Sequence, residues 1–268
     1  MAAILETIKL SKHFGGLKAV EEVSIKVEKG QIYGIIGPNG AGKTTFFNLL
    51  TGTFTPTGGA IKFNNAPITN FPPEKVARLG IARTFQNIKL FKYMTVLDNV
   101  KIGFHAQTKT NFWDAILHTP TYKRDEQLAI EKGMAVLKRV GLDDKAMDYA
   151  SNLAYGTQRR LEIARALATN PELLLLDEPA AGMNPAETVS LIEFIRQLNQ
   201  EGLTIVVIEH DMKLIMNLCQ RIAVLNHGEK ICEGTPIEVQ NNQCVIEAYL
   251  GKGIIAGHHA PEGGSSEC

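Results

Sequence analysis

No apolar run in the 268-residue chain approaches the roughly 18 residues that a membrane-crossing helix needs, so any role at a membrane has to come through partners. The first stretch, Met1 to Phe14, also lacks the long apolar segment of a secretory signal, and no cleaved leader is expected. Excess charge of one sign is missing: Lys plus Arg number 28, and so do Asp plus Glu. That balance argues against a surface that coats nucleic acid. Cysteine is scarce. Cys219, Cys232, Cys244 and Cys268 show no CxxC spacing, which removes a zinc frame and reads as four reduced thiols.

What is present is an ordinary folding composition, with 44% apolar and 21% charged residues. Ile4–Leu10, Val23–Val27 and Ala60–Phe63 alternate or run apolar between turn signals at Gly15-Gly16, Lys29-Gly30 and Thr57-Gly58-Gly59, predicting a small antiparallel sheet. Ile32–Ile36, Leu173–Leu176 and Ile205–Ile208 are almost wholly apolar, as strands covered on both faces are. Asn184-Pro185 starts a helix that runs to Asn199 and stops at Gly202, and a second helix is expected over Gln158–Ala168. Ile222–Leu225 and Lys230–Cys232 flank a hairpin signal. Strand and helix alternate, which predicts an α/β core. Residues 87–152 instead show helical spacing in Thr95–Gln107 and Lys123–Gly141, where Ile130, Met134, Leu137 and Val140 share a face. This region reads as a helical insertion, with Phe112 and Trp113 packed between helices. One domain over residues 1–250 and a disordered tail over 251–268 are expected.

Gly37-Pro38-Asn39-Gly40-Ala41-Gly42-Lys43-Thr44 fits GxxxxGK[ST] and is followed by Thr45. Backbone N–H groups can surround a triphosphate only where side chains do not intrude, hence the glycines. The helix that follows adds free N–H donors and the positive end of its dipole. Lys43 reaches the β- and γ-phosphates and Thr44 ligates Mg²⁺ in this reading. Chance produces such a match in roughly one chain of this length in a hundred, and its place between a buried strand and a helix makes chance rarer still. A second carboxylate is then needed for the metal, and Asp177 ends a buried strand, where open α/β sheets put their ligands. Glu178 beside it reads as the base that polarises the attacking water, a role worth about 10²- to 10⁴-fold in rate. His210 ends the third buried strand in the same way and is placed near the γ-phosphate.

These motifs together resemble the ATP-binding-cassette transporters over nearly the whole chain. That family has a glutamine after a strand, matched by Gln86 in Thr84-Phe85-Gln86-Asn87. It has a signature, usually LSGGQ, matched by Leu153-Ala154-Tyr155-Gly156-Thr157-Gln158, and a histidine matched by His210. An aromatic near the N-terminus that stacks on adenine is best matched by Phe14. Ala154 departs from the signature serine, and Asn184 stands where the family usually has Asp. LAYGTQRRLEIARAL, TFQNIKLF and DEPAAGMNP look like the larger ATPase subunit of bacterial branched-chain amino-acid importers.

The resemblance implies a P-loop NTPase cassette with a RecA-like parallel-sheet core, an N-terminal antiparallel β subdomain and an inserted α-helical subdomain. It implies ATP and Mg²⁺ as ligands, with Gln86 joining Thr44 and Asp177 at the metal and joining Glu178 and His210 in catalysis. Implied partners are a second, related cassette paired head to tail, two membrane permease subunits gripped near Gln86, and a periplasmic binding protein. The implied place is the cytoplasmic face of the inner membrane. Importers of urea or short amides, exporters of lipid or lipopolysaccharide, and cassettes acting on DNA or ribosomes are the alternatives. Balanced charge and the absence of a second cassette weigh against the last. The paired His258-His259 read as solvated, and Arg159-Arg160 at a helix start as facing solvent or a partner's acid.

Overall fold

The computed structural model describes residues 2–104 and 120–250. Phe112, Trp113, the end of the helix expected over Thr95–Gln107 and the tail with its histidine pair lie outside them. In chain order the first part holds β1 (Ala3–Phe14), β2 (Leu17–Val23), β3 (Lys26–Glu28), β4 (Ile32–Ile36) and α1 (Lys43–Leu50). Then come β5 (Gly58–Phe63), β6 (Ala66–Pro67), α2 (Pro73–Arg78), β7 (Ile81–Arg83), α3 (Val96–Ile102), α4 (Pro120–Val140) and α5 (Tyr155–Leu167). The last part holds β8 (Leu173–Asp177), α6 (Pro185–Gln200), β9 (Thr204–Ile208), α7 (Met212–Leu218), β10 (Arg221–Asn226), β11 (Glu229–Gly234), α8 (Pro236–Gln240) and α9 (Gln243–Leu250). This is the expected α/β class. The chain divides into two compact units, Met1–Pro73 with Asn199–Cys268, and Glu74–Leu198.

The first unit carries two sets of strands. β1 pairs antiparallel with β2, β3 and β5, as the alternating N-terminal pattern predicts. The expected single strand over Val23–Val27 is split into β2 and β3, because Thr7 bridges the break: its hydroxyl donates to Val23 O and accepts from Ile25 N, both at 3.0 Å. The second set is the core. β10, β4 and β9 run parallel, and β11 closes antiparallel on β10 through the Asn226–Glu229 turn. Every residue of β4 and β9 is buried, which is what their unbroken apolar runs require. Burying one such Ile or Val side chain contributes about 1.5–3 kcal/mol.

The second unit pairs β7 and β8 in parallel, with Leu173–Asp177 wholly buried. Its helices follow the predicted stripes. Leu137 and Val140 of α4 are buried, and α4 approaches α3 so closely at Gly133 that an added Cβ would lie 2.7 Å from Leu97 Cδ1. Asn184 caps α6 as expected: its Oδ1 accepts from Glu187 N, and Glu187 Oε2 accepts from Asn184 N, both at 3.0 Å. Among the described residues the predicted helical stretch has no strand, only an isolated bridge between Thr95 and Tyr149. Cys219 and Cys232 are free thiols as expected, and burial pushes the Cys219 thiol well up. Cys244 departs from that expectation, being disulfide-bonded; the lack of a CxxC pair says nothing about long-range partners.

Candidate functional site

In the first unit β4 delivers the phosphate loop. Leaving the strand, Gly37 has φ 152° and an added Cβ would stand 2.1 Å from Leu225 O. At the other end Gly42 has φ 96° and an added Cβ would stand 2.2 Å from Ala19 O. Conformation and crowding both demand glycine at these two positions. Gly42 is also the N-cap of α1, and no side chain caps the helix, so the first amides of α1 are left for an anion. The Lys43 ammonium is buried and donates to Gly37 O at 2.7 Å and Pro38 O at 3.1 Å, bracing the loop. Thr44, Asn39 and Gly40 are exposed, Pro38 and Thr45 half-buried, and Ala41 buried.

Phe14 ends β1 with an exposed ring, edge-on to Phe54 with centroids 5.4 Å apart. His210 follows β9 and is exposed, while its neighbour Glu209 is buried and accepts from His210 N at 3.3 Å. Asp211 caps α7 through Lys213 N and Leu214 N. His210 lines a cavity of about 550 Å³ with Met212, Val245, Ile246 and Tyr249. Burial pushes the Tyr249 hydroxyl up to about 12, against the opposing pull of the Gly37 backbone. A C-terminal tyrosine beside the phosphate loop carries no local sequence signal.

In the second unit, β8 ends at Asp177, which is buried. Its Oδ2 meets Arg83 Nη2 at 2.7 Å, and its amide donates to Thr84 Oγ1 at 3.4 Å. Glu178 comes next with φ 45°, an uncommon torsion for a side-chain-bearing residue. Gln86 Nε2 donates to Glu178 Oε2 at 2.8 Å, so the expected glutamine and the expected base are in contact.

The signature forms the first turn of α5. The helix starts at Tyr155, earlier than the expected Gln158, and Ala154 sits at the N-cap with no side-chain bond. Gly156, Thr157 and Gln158 are therefore helical, and Gln158 Nε2 donates to Leu153 O at 2.9 Å. Tyr155 Oη donates to Ala181 O at 2.9 Å.

The paired arginines overturn the solvent expectation. Arg159 is fully buried, and Arg160 donates to Ser190 Oγ at 2.6 Å with its guanidinium over the Phe194 ring. Packing of α5 turns Arg159 inward and leaves Arg160 half-buried. Nothing in local sequence marks Arg83, Arg159 or Glu162 as part of this corner.

Thr44 in the first unit, and Gln86 and Asp177 in the second, each carry oxygen, the donor type that hard divalent cations such as Mg²⁺ take. Among the described residues no cluster of His, Cys, Asp and Glu offers a separate metal site. No helix among the described residues is long and apolar enough to cross a membrane.

Comparison with known proteins agrees with the fold. The pattern of the family described as ABC transporter matches residues 20–181, and that of a branched-chain amino acid ATP-binding cassette transporter matches residues 229–254. The chain is 49% identical to the high-affinity branched-chain amino acid transport ATP-binding protein LivG of Salmonella typhimurium, covering 91% of this chain and 96% of that one. It is 48% identical to the corresponding protein BraF of Pseudomonas aeruginosa, covering 93% and 98%. A crystal structure of the ADP conformation of MJ1267, an ATP-binding cassette of an ABC transporter, matches with TM-score 0.83 and 34% identity, over 94% of this chain and 100% of that one. The chain belongs to the ABC transporter family, as one of its ATP-binding, ATP-hydrolysing cassettes.

Proposed function

We propose that this cassette drives uptake of branched-chain amino acids as the ATPase subunit of an importer. One observation carries the reading: the likeness to proteins named for that transport runs nearly end to end and includes the C-terminal stretch 229–254. The cassette works from the cytoplasmic face of the inner membrane with two permease subunits, a second related cassette and a periplasmic binding protein. The exposed Phe91 and Tyr93, near Gln86, offer apolar contacts to a permease.

In this reading Gly37, Pro38, Asn39, Gly40, Ala41, Gly42, Lys43, Thr44 and Thr45 bind the phosphates, and Phe14 stacks on adenine. Thr44, Gln86 and Asp177 hold Mg²⁺, which when bound neutralises charge on the phosphates. Glu178 takes the proton of the attacking water, with Gln86 orienting its carboxylate and His210 at the γ-phosphate. Leu153, Ala154, Tyr155, Gly156, Thr157 and Gln158 close the partner cassette's nucleotide. With Ala154 in place of serine, that contact relies on the uncapped amides of α5.

The test is the assembled transporter in lipid. ATPase stimulated by leucine, isoleucine or valine with the binding protein is expected; stimulation by none of them removes the substrate. Glu178→Gln is expected to lower hydrolysis by about 10²- to 10⁴-fold while ATP binding persists. An unchanged rate would show that another group is the base.

A further inference from the structure

The second unit contains a charged cluster that the reading above does not use. Arg159 comes from the first turns of α5, yet its guanidinium reaches across to two other segments. Nη1 donates to Phe85 O at 2.7 Å and to Glu162 Oε2 at 2.7 Å. Nη2 donates to Gln86 O at 2.8 Å and lies 3.5 Å from Glu178 O. Glu162, equally buried, returns the grip on the same loop: its Oε1 accepts from Phe85 N at 3.3 Å and Lys89 N at 3.5 Å. One ion pair therefore joins the signature helix, the loop that carries Gln86, and the backbone of Glu178.

Charge of this kind is expensive to bury, and a hydrocarbon pair of similar volume would fill the space as well. What a hydrocarbon could not do is fix three carbonyls by direction. A planar guanidinium presents its donors in a rigid fork, and a carboxylate accepts at both oxygens. Gln86 and Glu178 are already in contact through their side chains at 2.8 Å, so the same two residues are held twice, once by side chain and once by backbone. A shift of the loop that leaves α5 behind would strand the ion pair.

We propose that Arg159, braced by Glu162, is a positioning residue that makes the Gln86 loop, Glu178 and the signature helix move as one piece. The inference rests on the roles given above to Gln86, Glu178 and the signature. Its consequence is that a permease pushing on the loop moves the signature presented to the partner cassette and sets the base in the same motion. Arg159 touches no substrate; it acts through the groups it holds.

The experiment uses the full transporter in lipid and the substitution Arg159→Lys. A lysine keeps the charge beside Glu162, but a single ammonium cannot span Phe85 O, Gln86 O and Glu178 O. The expected result is an unchanged KM for ATP, a kcat lowered about tenfold or more, and loss of the stimulation ratio given by substrate-loaded binding protein. A merely structural role would reduce the active fraction, lowering kcat while leaving KM and the stimulation ratio as they were; that result overturns the proposal, as does wild-type behaviour throughout. Should Arg159→Lys fail to assemble, Glu162→Gln keeps the shape and one acceptor oxygen and is expected to reduce the stimulation ratio in the same direction. An unchanged ratio there overturns the proposal too. Glu178→Gln, run in parallel, separates the two failures: if it leaves hydrolysis intact, the catalytic assignment falls, whereas if it abolishes hydrolysis while the arginine and glutamate variants keep wild-type coupling, only the positioning role falls.

Discussion

The phosphate loop and the Gln86–Glu178 corner hold their groups by different means. The loop is a matter of torsion and clearance: Gly37 and Gly42 admit contacts with Leu225 O and Ala19 O that any Cβ would spoil, and the only charge involved, on Lys43, turns back on the loop's own carbonyls. The corner is a matter of directed charge. Arg83 holds Asp177, Arg159 holds the backbone at Phe85, Gln86 and Glu178, and Gln86 holds the Glu178 carboxylate. A region built from torsions is damaged by added volume, whereas a region built from charge is damaged by losing one partner.

The largest test of that contrast is Asp177→Ala. Arg83 keeps only 10% of its side chain exposed, so removing Asp177 takes away the carboxylate 2.7 Å from a nearly buried charge. Such a loss costs about 3–5 kcal/mol of stability, measured by urea unfolding. A cost well under 1 kcal/mol would mean that water reaches Arg83 and the corner is not held by charge.

Next comes Gly42→Ala. Left-handed strain alone costs about 1–3 kcal/mol, and the Ala19 carbonyl must also move. ATP affinity is expected to collapse, whereas Gly40→Ala, where an added Cβ meets open space, carries the strain without the collision and loses less. Equal losses in the two variants, read by nucleotide titration, would put torsion above clearance. The smallest effect is a gain. Ala154→Ser supplies the cap that α5 lacks and is expected to add about 1 kcal/mol to thermal stability.

The contrast also explains what could be read from sequence. The phosphate loop occupies consecutive positions, and glycine announces torsion wherever it stands. The apolar runs of β4, β8 and β9 likewise state their own burial. The corner is assembled from distant positions: Arg159 and Phe85 are 74 apart, and a pair of arginines opening a helix carries the pattern of a solvated face until packing turns Arg159 inward. β2 was hidden because exposed Leu17 and polar Lys18, Glu21 and Glu22 mask its alternation, and β3 because three residues make no pattern. α8 had a readable signal in Thr235-Pro236-Ile237-Glu238, a capping box that the structure forms in full.

Glu178 stands at a torsion where a hydrogen in place of a side chain would be more comfortable, since φ 45° suits glycine better than glutamate. A chain selected for stability alone would relax at this point. A carboxylate held there carries a backbone cost of about 1–3 kcal/mol that the surrounding contacts have to offset. Replacement by glycine would ease the main chain while removing the proposed base, so stability and hydrolysis would move in opposite directions.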